Sequence, residues 1–422
     1  MPDAMATTPT ASPAPTPTVW ITGGGSGGHV FPGLAVAEEL ARRGVAVAWA
    51  GGAGMEGDLV RSRGLDFHQL AARPVVGQGR LGRLRAVATL ARSAWHARRL
   101  LRAGGVGAVL GTGGYASAPA VVGSWLARRP VLLLEPNSEA GVANRMLSRF
   151  AAEALLADAA TGAALRCPST VTGVPVRAAF DSVDAPPEPP PLRLLVLGGS
   201  QGAQQLNRLL PAALARLSDA RPLGRLEIVH QTGAAHRDAT RRAYADALPG
   251  SHDQSSSATN PLDPETSGAV PHDAATPATE TIVQVDVVPF LDDVARAMEQ
   301  SHVVVSRAGA ITLAEICAAG RPALLVPLRL AGGHQARNAR RLQRAGAACM
   351  LGDTVADGAD GDEAGALERA IDDAAQVLGE LLSDAALRAR MAAAARSLAR
   401  PSAAADIAER VVHHLENHRR AA

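Results

Sequence analysis

His29 stands at the end of a glycine-rich run, Gly23-Gly24-Gly25-Ser26-Gly27-Gly28, and opens the helical pattern from Val30 to Ala41. An imidazole beside such a loop could serve as a general base, which contributes about 10²–10⁴ in rate. A lone histidine near a helix start is also commonly structural, and position alone leaves both readings open. A second run, Gly198-Gly199-Ser200-Gln201-Gly202-Ala203, lies about 175 residues further on. Each run follows an apolar strand pattern and precedes a helix, which aims free backbone N–H groups and a helix dipole at an anion. Both therefore read as phosphate cradles.

A third turn, Ser306-Arg307-Ala308-Gly309, leads into Ala310-Ile311-Thr312-Leu313-Ala314-Glu315. Thr312 with Glu315 has the spacing of a capping box. The same carboxylate, near the end of a parallel strand, could instead clasp a ribose diol; spacing does not separate the two. Gln335 and Asn338 follow in Gly333-His334-Gln335-Ala336-Arg337-Asn338 and offer donors and acceptors to a polyhydroxyl ligand, with His334 a bystander. Gly23, Gly25 and Gly28 match the dinucleotide pattern G-x-G-x-x-G, yet the second strand ends Val47-Ala48-Trp49-Ala50-Gly51-Gly52. No acid stands there to hold a ribose, which argues against a nicotinamide enzyme. No His, Asp or Cys set has metal-ligand spacing, and Asp292-Asp293 reads as a helix start, so neither metal nor cofactor is expected.

To position these residues the chain needs parallel sheets, and alternating apolar runs and helical patterns supply them. Strands are predicted at 18–22, 45–50, 108–110, 131–134 and 154–156 in the first half. The second half has them at 192–197, 226–230, 281–288, 302–306 and 323–326. The expected fold is α/β, two Rossmann-like domains facing across a cleft, an architecture used by nucleotide-sugar glycosyltransferases. Residues 1–17 read as a disordered leader, 18–180 as the first domain and 181–191, with five prolines, as a stiff linker. Residues 192–400 form the second domain, interrupted by a disordered insertion at 249–280 that is rich in Ser, Thr, Asp and Pro. A last amphipathic helix at about 402–418 is expected to pack back on the first domain.

All 42 basic residues are arginine, and the net charge of +2 implies no nucleic-acid partner. Three cysteines without metal spacing suit a reducing compartment, and no stretch reads as a membrane span, so a cytoplasmic protein is expected. Charge is nevertheless uneven: ten arginines and no acid fall between Phe67 and Leu134. Within this span, Leu84, Val87, Ala88, Ala91 and Trp95 are helix-spaced. Two readings fit: a core-facing helix with a solvated basic face, or a docking face for an anionic membrane.

The motifs taken together resemble the MurG family. They are Gly25 to Ala35, Gly111-Thr112-Gly113-Gly114-Tyr115, Glu135-Pro136-Asn137, Gly173-Val174-Pro175-Val176-Arg177, Gly198 to Ala203, Ala310 to Glu315, and His334-Gln335 with Asn338. Ser26 stands where threonine is usual and keeps the hydroxyl; Pro136 and Val174 replace a common glutamine and asparagine. The resemblance implies a GT-B fold and transfer of GlcNAc from UDP-GlcNAc to the 4-hydroxyl of MurNAc in undecaprenyl-linked lipid I. That step belongs to peptidoglycan biosynthesis, and so to cell shape and division. It implies His29 as the base and Tyr115 in the acceptor loop, with Asn137 on the acceptor side as well. UDP-GlcNAc contacts would come from Ser26, Gly27, Gly28, Asn137, Arg177, Ser200, the backbone of Leu291, Ala310, Ile311, Thr312, Leu313, Ala314, Glu315 and Gln335. Implied partners are the cytoplasmic face of an anionic inner membrane, on which the protein would be peripheral, and other cell-wall synthesis proteins. The rivals are a GT-B enzyme with another lipid or small-molecule acceptor, against which the Gly111–Tyr115 and Glu135–Asn137 motifs speak, and a non-catalytic precursor-binding scaffold. Retention of His29, Glu315 and Gln335 together disfavours the scaffold.

Overall fold

The computed structural model describes residues 18–54, 56–74, 79–199, 202–249, 251–253, 282–328, 333–352 and 363–421. The 1–17 leader, Ser200, and the 249–280 insertion apart from residues 249 and 251–253 lie outside the described residues.

Two seven-stranded sheets, parallel throughout their described pairings, organise the chain. The first contains β1 (Thr18–Gly23), β2 (Ala46–Gly51), β3 (Asp66–Gln69), β4 (Val106–Gly113), β5 (Val131–Glu135), β6 (Glu153–Leu156) and β7 (Ser169–Val171). Their order is β3-β2-β1-β4-β5-β6-β7. The second contains β8 (Leu192–Leu197), β9 (Arg225–Gln231), β10 (His252–Asp253), β11 (Ile282–Val288), β12 (Val303–Ser306), β13 (Ala323–Leu325) and β14 (Ala348–Met350), in the order β10-β11-β9-β8-β12-β13-β14. Inner strands such as Val19-Trp20-Ile21 and Val303-Val304-Val305 are buried and uniformly apolar, as expected of parallel sheets covered on both faces. Four strands were not anticipated. β3, β7 and β14 are short and lie at or near sheet edges, where one-sided pairing weakens the apolar signal; β10 falls inside the span read as a disordered insertion.

The first sheet carries α1 (Gly27–Arg42), α2 (Glu56–Ser62), α3 (Arg80–Ala103), α4 (Ala118–Leu126) and α5 (Val142–Leu147). α1 packs closely because Gly33 has no side chain: a Cβ there would lie 2.5 Å from the Trp49 ring. The second sheet carries α6 (Gln204–Ala220), α7 (Arg237–Ala247), α8 (Val294–Glu299), α9 (Ala310–Ala319), α10 (His334–Arg344), α11 (Glu363–Ser383) and α12 (Ala385–Leu398). The chain then returns. α13 (Ala403–Ala421) places Ile407, Ala408, Val411 and Leu415 in the core of the first half with Val30 and Leu34. Arg410 and His414 of α13 fasten it to the buried Glu153 carboxylate, at 2.8 Å and 2.9 Å.

Residues 181–191 are held rather than free. Phe180 and Val183 already pack in the second core, the Asp184 carbonyl accepts from Arg321, and the Pro187 carbonyl accepts from His302 at 2.9 Å.

On α3 the buried stripe is Ala86, Ser93, Ala94, Ala97 and Leu101, small residues that let the helix sit tightly on α4. Leu84, Val87, Ala88, Ala91 and Trp95 face outward, so the core-facing reading of those residues is wrong. Leu81 is 74% and Leu84 68% exposed.

Candidate active site

The C-terminal ends of the two sheets face each other, and each candidate site residue sits at a strand exit or the helix start beyond it. His29 occupies the first turn of α1. Its Nδ1 lies 3.0 Å from the Thr112 carbonyl oxygen at the end of β4. A carbonyl only accepts, so the proton of a neutral ring resides on Nδ1 and the lone pair on Nε2. Thr112 also grips the turn through its hydroxyl, which donates to the His29 carbonyl at 2.7 Å and lies 3.3 Å from the Thr22 carbonyl at the end of β1. Gly113 and Gly114, at φ 105° and 75°, pass so close to the imidazole that a Cβ on Gly113 would lie 2.9 Å from Nδ1. Burial lowers the His29 pKa from its ordinary value, against the opposing pull of the Thr112 carbonyl and the Glu135 charge. Nε2 has no protein partner among the described residues. His29 is thus neutral at pH 7 and oriented to accept a proton.

The first glycine loop differs from a simple phosphate cradle. The buried carboxylate of Glu56, at the start of α2, lies 3.0 Å from the Gly52 N–H and 3.4 Å from the Gly25 N–H. An internal anion therefore occupies part of the cradle. Ser26, Gly27 and Gly28 remain at the surface of the loop, and the Ser26 hydroxyl makes no cap bond to α1. Tyr115, 46% exposed, stands beside Gly25. Glu135 organises the next strand exit. It accepts from the Asn137 backbone and side-chain N–H groups, from the Gly141 N–H and from Asn144, all within 3.1 Å.

In the second half, α9 begins at Ala310 with Gly309 as its N-cap and no side-chain cap. The capping box of Thr312 with Glu315 is therefore not formed, because the helix starts two residues before Thr312. The first intrahelical bond runs from the Leu313 N–H to the Gly309 carbonyl. The N–H groups of Ala310, Ile311 and Thr312 are left at the open helix start. Ala314 and Glu315 follow, with Glu315 buried. Its carboxylate pairs with Arg177 at 2.8 Å. Burial raises the Glu315 pKa, and the Arg177 guanidinium counters part of that rise. Arg177 in turn lies 5.5 Å from the rings of both Phe31 and Phe180, so one side chain links α1, the connection and α9. Leu291, beyond β11, buries its side chain in the second core, which leaves its backbone at the strand exit. Gln335 uses its amide oxygen to accept from the Leu328 N–H at 2.9 Å.

Asn338 of α10 closes the cleft floor. Its Oδ1 accepts from the Ser138 N–H at 2.9 Å, and its Nδ2 donates to the Asn137 side-chain oxygen at 3.2 Å and to the Ala308 carbonyl at 3.3 Å. Glu139 pairs with Arg337 beside it. A pocket lined by Pro136, Ser138 and Val174 from one half and Ala310, Leu313 and Asn338 from the other lies between the sheets.

The comparisons with known proteins bear on this geometry. Residues 19–156 match the glycosyltransferase family 28 N-terminal domain, and residues 193–255 and 267–403 match the family 28 C-terminal domain. A UDP-N-acetylglucosamine--N-acetylmuramyl-(pentapeptide) pyrophosphoryl-undecaprenol N-acetylglucosamine transferase from Acidithiobacillus ferrooxidans is 40% identical over 92% of this chain and 96% of its own. The chain belongs to the MurG family. A protein of the same name from Sorangium cellulosum is also 40% identical, over 93% of this chain and 87% of its own. The crystal structure of Acinetobacter baumannii MurG superposes with a TM-score of 0.70 at 28% identity, covering 94% of this chain and all of that one. The two facing parallel-sheet domains are the GT-B fold of this family.

Within this MurG-family fold, His29, Tyr115, Asn137, Arg177, the start of α9 and Gln335 all lie along the facing strand exits. Ser200 lies outside the described residues. Sequence reasoning missed Glu56 and Thr112 as site-building residues and did not foresee that Arg177 and Glu315 pair with each other. An acid two residues beyond Gly51-Gly52-Ala53-Gly54 was the available signal for Glu56.

Proposed function

We propose that this chain transfers GlcNAc from UDP-GlcNAc to the 4-hydroxyl of the MurNAc unit of undecaprenyl-pyrophosphoryl-MurNAc-pentapeptide, converting lipid I to lipid II. The observation that carries the mechanism is His29, held neutral by burial with Nδ1 bound to Thr112 and Nε2 open. Nε2 takes the proton of the acceptor hydroxyl as its oxygen bonds to C1 of the sugar. The C1–O bond to UDP breaks, and its electron pair leaves on the β-phosphate oxygen. One displacement on an α-linked donor yields a β-1,4 product. The open N–H groups of Ala310, Ile311 and Thr312 favour the departing diphosphate. Glu315 then meets the ribose, which requires its bond with Arg177 to be exchanged or shared when donor binds.

The acceptor side rests on an anionic membrane, with the protein peripheral on the cytoplasmic face. Supporting this reading, Leu81, Leu84 and Val87 are more than half exposed beside the exposed Arg80, Arg83 and Arg85, and Trp95 and Trp125 stand about half exposed nearby. Each such arginine adds about 1 kcal/mol near an anionic surface. No helix among the described residues is long and apolar enough to cross a membrane.

The test is incubation with labelled UDP-GlcNAc and a lipid I analogue in anionic vesicles, followed by product identification. A GlcNAc–MurNAc disaccharide on the lipid is expected; transfer only to a diacylglycerol control would overturn the acceptor assignment. In the same vesicles, Arg80→Gln/Arg83→Gln/Arg85→Gln should reduce pelleting at low salt with donor affinity unchanged, and wild-type pelleting should fall at high salt. Equal pelleting of both proteins at both salts would remove the membrane role of α3.

A further inference from the structure

At the opposite end of the second sheet from the cleft, a pocket of about 150 Å³ opens where β8, β12 and β13 begin. Three arginines line it, Arg321, Arg388 and Arg396, together with His302 and Gly320. Arg388, Ala392 and Arg396 lie four residues apart on α12 and so share one face, their outer Cα atoms ~12 Å apart. The alanine between them leaves a gap flanked by two cations. Arg396 lies across Gly320, where a Cβ would come within 2.5 Å of its guanidinium and force it away.

Among the described residues, none of these three guanidiniums has a carboxylate within 4.0 Å. Their bonds go to backbone carbonyls. Arg321 donates from Nε to Met298 at 2.7 Å and from Nη2 to Glu299 at 3.1 Å and to Asp184. Arg388 donates from Nη1 to Leu381 and Leu382 at 2.8 Å and 3.0 Å. That leaves Nη1 of Arg321, Nε and Nη2 of Arg388 and the whole Arg396 fork for another acceptor. His302 is a neutral wall: its Nε2 donates to the Pro187 carbonyl and its Nδ1 accepts from the Arg193 N–H at 3.0 Å.

The charges are felt. Burial pushes Arg321 down to about 10, with Arg396 adding to the fall and Glu299 and Asp184 opposing it. Burial lowers His302 as well, aided by Arg388, Arg193 and Arg321. Among the described residues, the acid that acts on Arg388 is Asp384, whose carboxylate is already used to cap α12 at the Leu387 N–H.

We propose that this pocket binds a phosphate-type dianion, held by Arg321, Arg388 and Arg396 at a site separate from the donor cleft. Ala185 and Pro186 of the connection line the same pocket. A bound dianion therefore ties the segment that enters the second half to α12, the helix that leads out of it. Guanidiniums suit the task because they bind oxyanions through paired donors in fixed geometry.

The experiment is a melting curve of the full chain in saturating UDP, which fills the cleft, with inorganic phosphate titrated at constant ionic strength against chloride. A saturable rise of about 2 °C or more with phosphate over chloride is expected. Arg388→Gln/Arg396→Gln should weaken the apparent phosphate affinity at least tenfold. Should that variant fail to fold, Ala392→Glu sets a carboxylate between the two cations and should abolish the response without lowering the melting temperature. An equal effect of chloride, or a wild-type phosphate response in Ala392→Glu, would overturn the proposal.

Discussion

The two glycine loops look alike in sequence and behave differently in the fold. In the second, Gly198 and Gly202 are pinned by backbone: a Cβ at Gly198 would lie 2.7 Å from the Gln231 carbonyl, and one at Gly202, at φ 77°, would overlap the Thr232 carbonyl. In the first, Gly23 and Gly24 are crowded by the side chains of Thr112 and Glu56 instead, and Gly28 has no neighbour closer than 3.7 Å to an added Cβ. The nearby histidines repeat the contrast. His230, on β9, is fully buried with Nδ1 bonded to Tyr244 and Nε2 to Asn207 at 3.0 Å and 3.1 Å, and burial lowers its pKa to about 3. His29 is half-buried and keeps one nitrogen open. His230 spends both ring nitrogens inside its own half, whereas His29 spends only Nδ1. On the proposed mechanism, the unfilled partner of His29, rather than its position in a motif, is what separates it from His230.

The largest effect that could break this contrast is on turnover. His29→Ala should lower kcat by about 10²-fold or more while UDP affinity, measured by calorimetric titration, stays nearly unchanged. A variant that keeps most of its turnover would place His29 with His230 among structural histidines. Next in size is the glycine comparison. Gly202→Ala should destabilise the fold by at least about 2 kcal/mol, from a left-handed backbone and a clash with a carbonyl. Gly28→Ala should melt within about 0.5 kcal/mol of wild type yet lose activity. Urea unfolding of both checks this, and similar losses in the two would erase the distinction between the loops. The smallest expected effect sharpens the second half: Glu315→Ala should weaken UDP-GlcNAc binding by about 1–3 kcal/mol, through loss of a charge-assisted bond to the ribose. Unchanged donor affinity with a lowered melting temperature would instead assign Glu315 to holding Arg177.

Features confined to a short stretch of chain were legible in the sequence. Strand, glycine turn and helix recur within about a dozen residues, so the inner strands of both sheets and the ordered motifs could be read directly. Contacts between distant residues could not. Glu56 reaches Gly25 across 31 residues, and Arg177 meets Glu315 across 138. The α3 periodicity was visible, but its direction was not. A helix that buries alanines and exposes leucines inverts the usual rule, and only the close approach of α4 at Gly123, where a Cβ would lie 2.7 Å from the Ala94 carbonyl, fixes which face is inside. Short edge strands such as Asp66–Gln69 escaped because half-polar tetrads carry little period.

Acid dependence of turnover tests the central claim, that an unprotonated His29 takes the acceptor proton. Burial depresses its pKa, so the catalytic neutral form persists as pH falls through 6.5 and is lost only below it. The acid limb of kcat/KM for the wild type, measured with a lipid I analogue, should therefore lie below pH 6.5, and the residual activity of His29→Ala should lack that limb. A limb at or above the ordinary histidine value, or the same limb surviving in His29→Ala, would contradict the account.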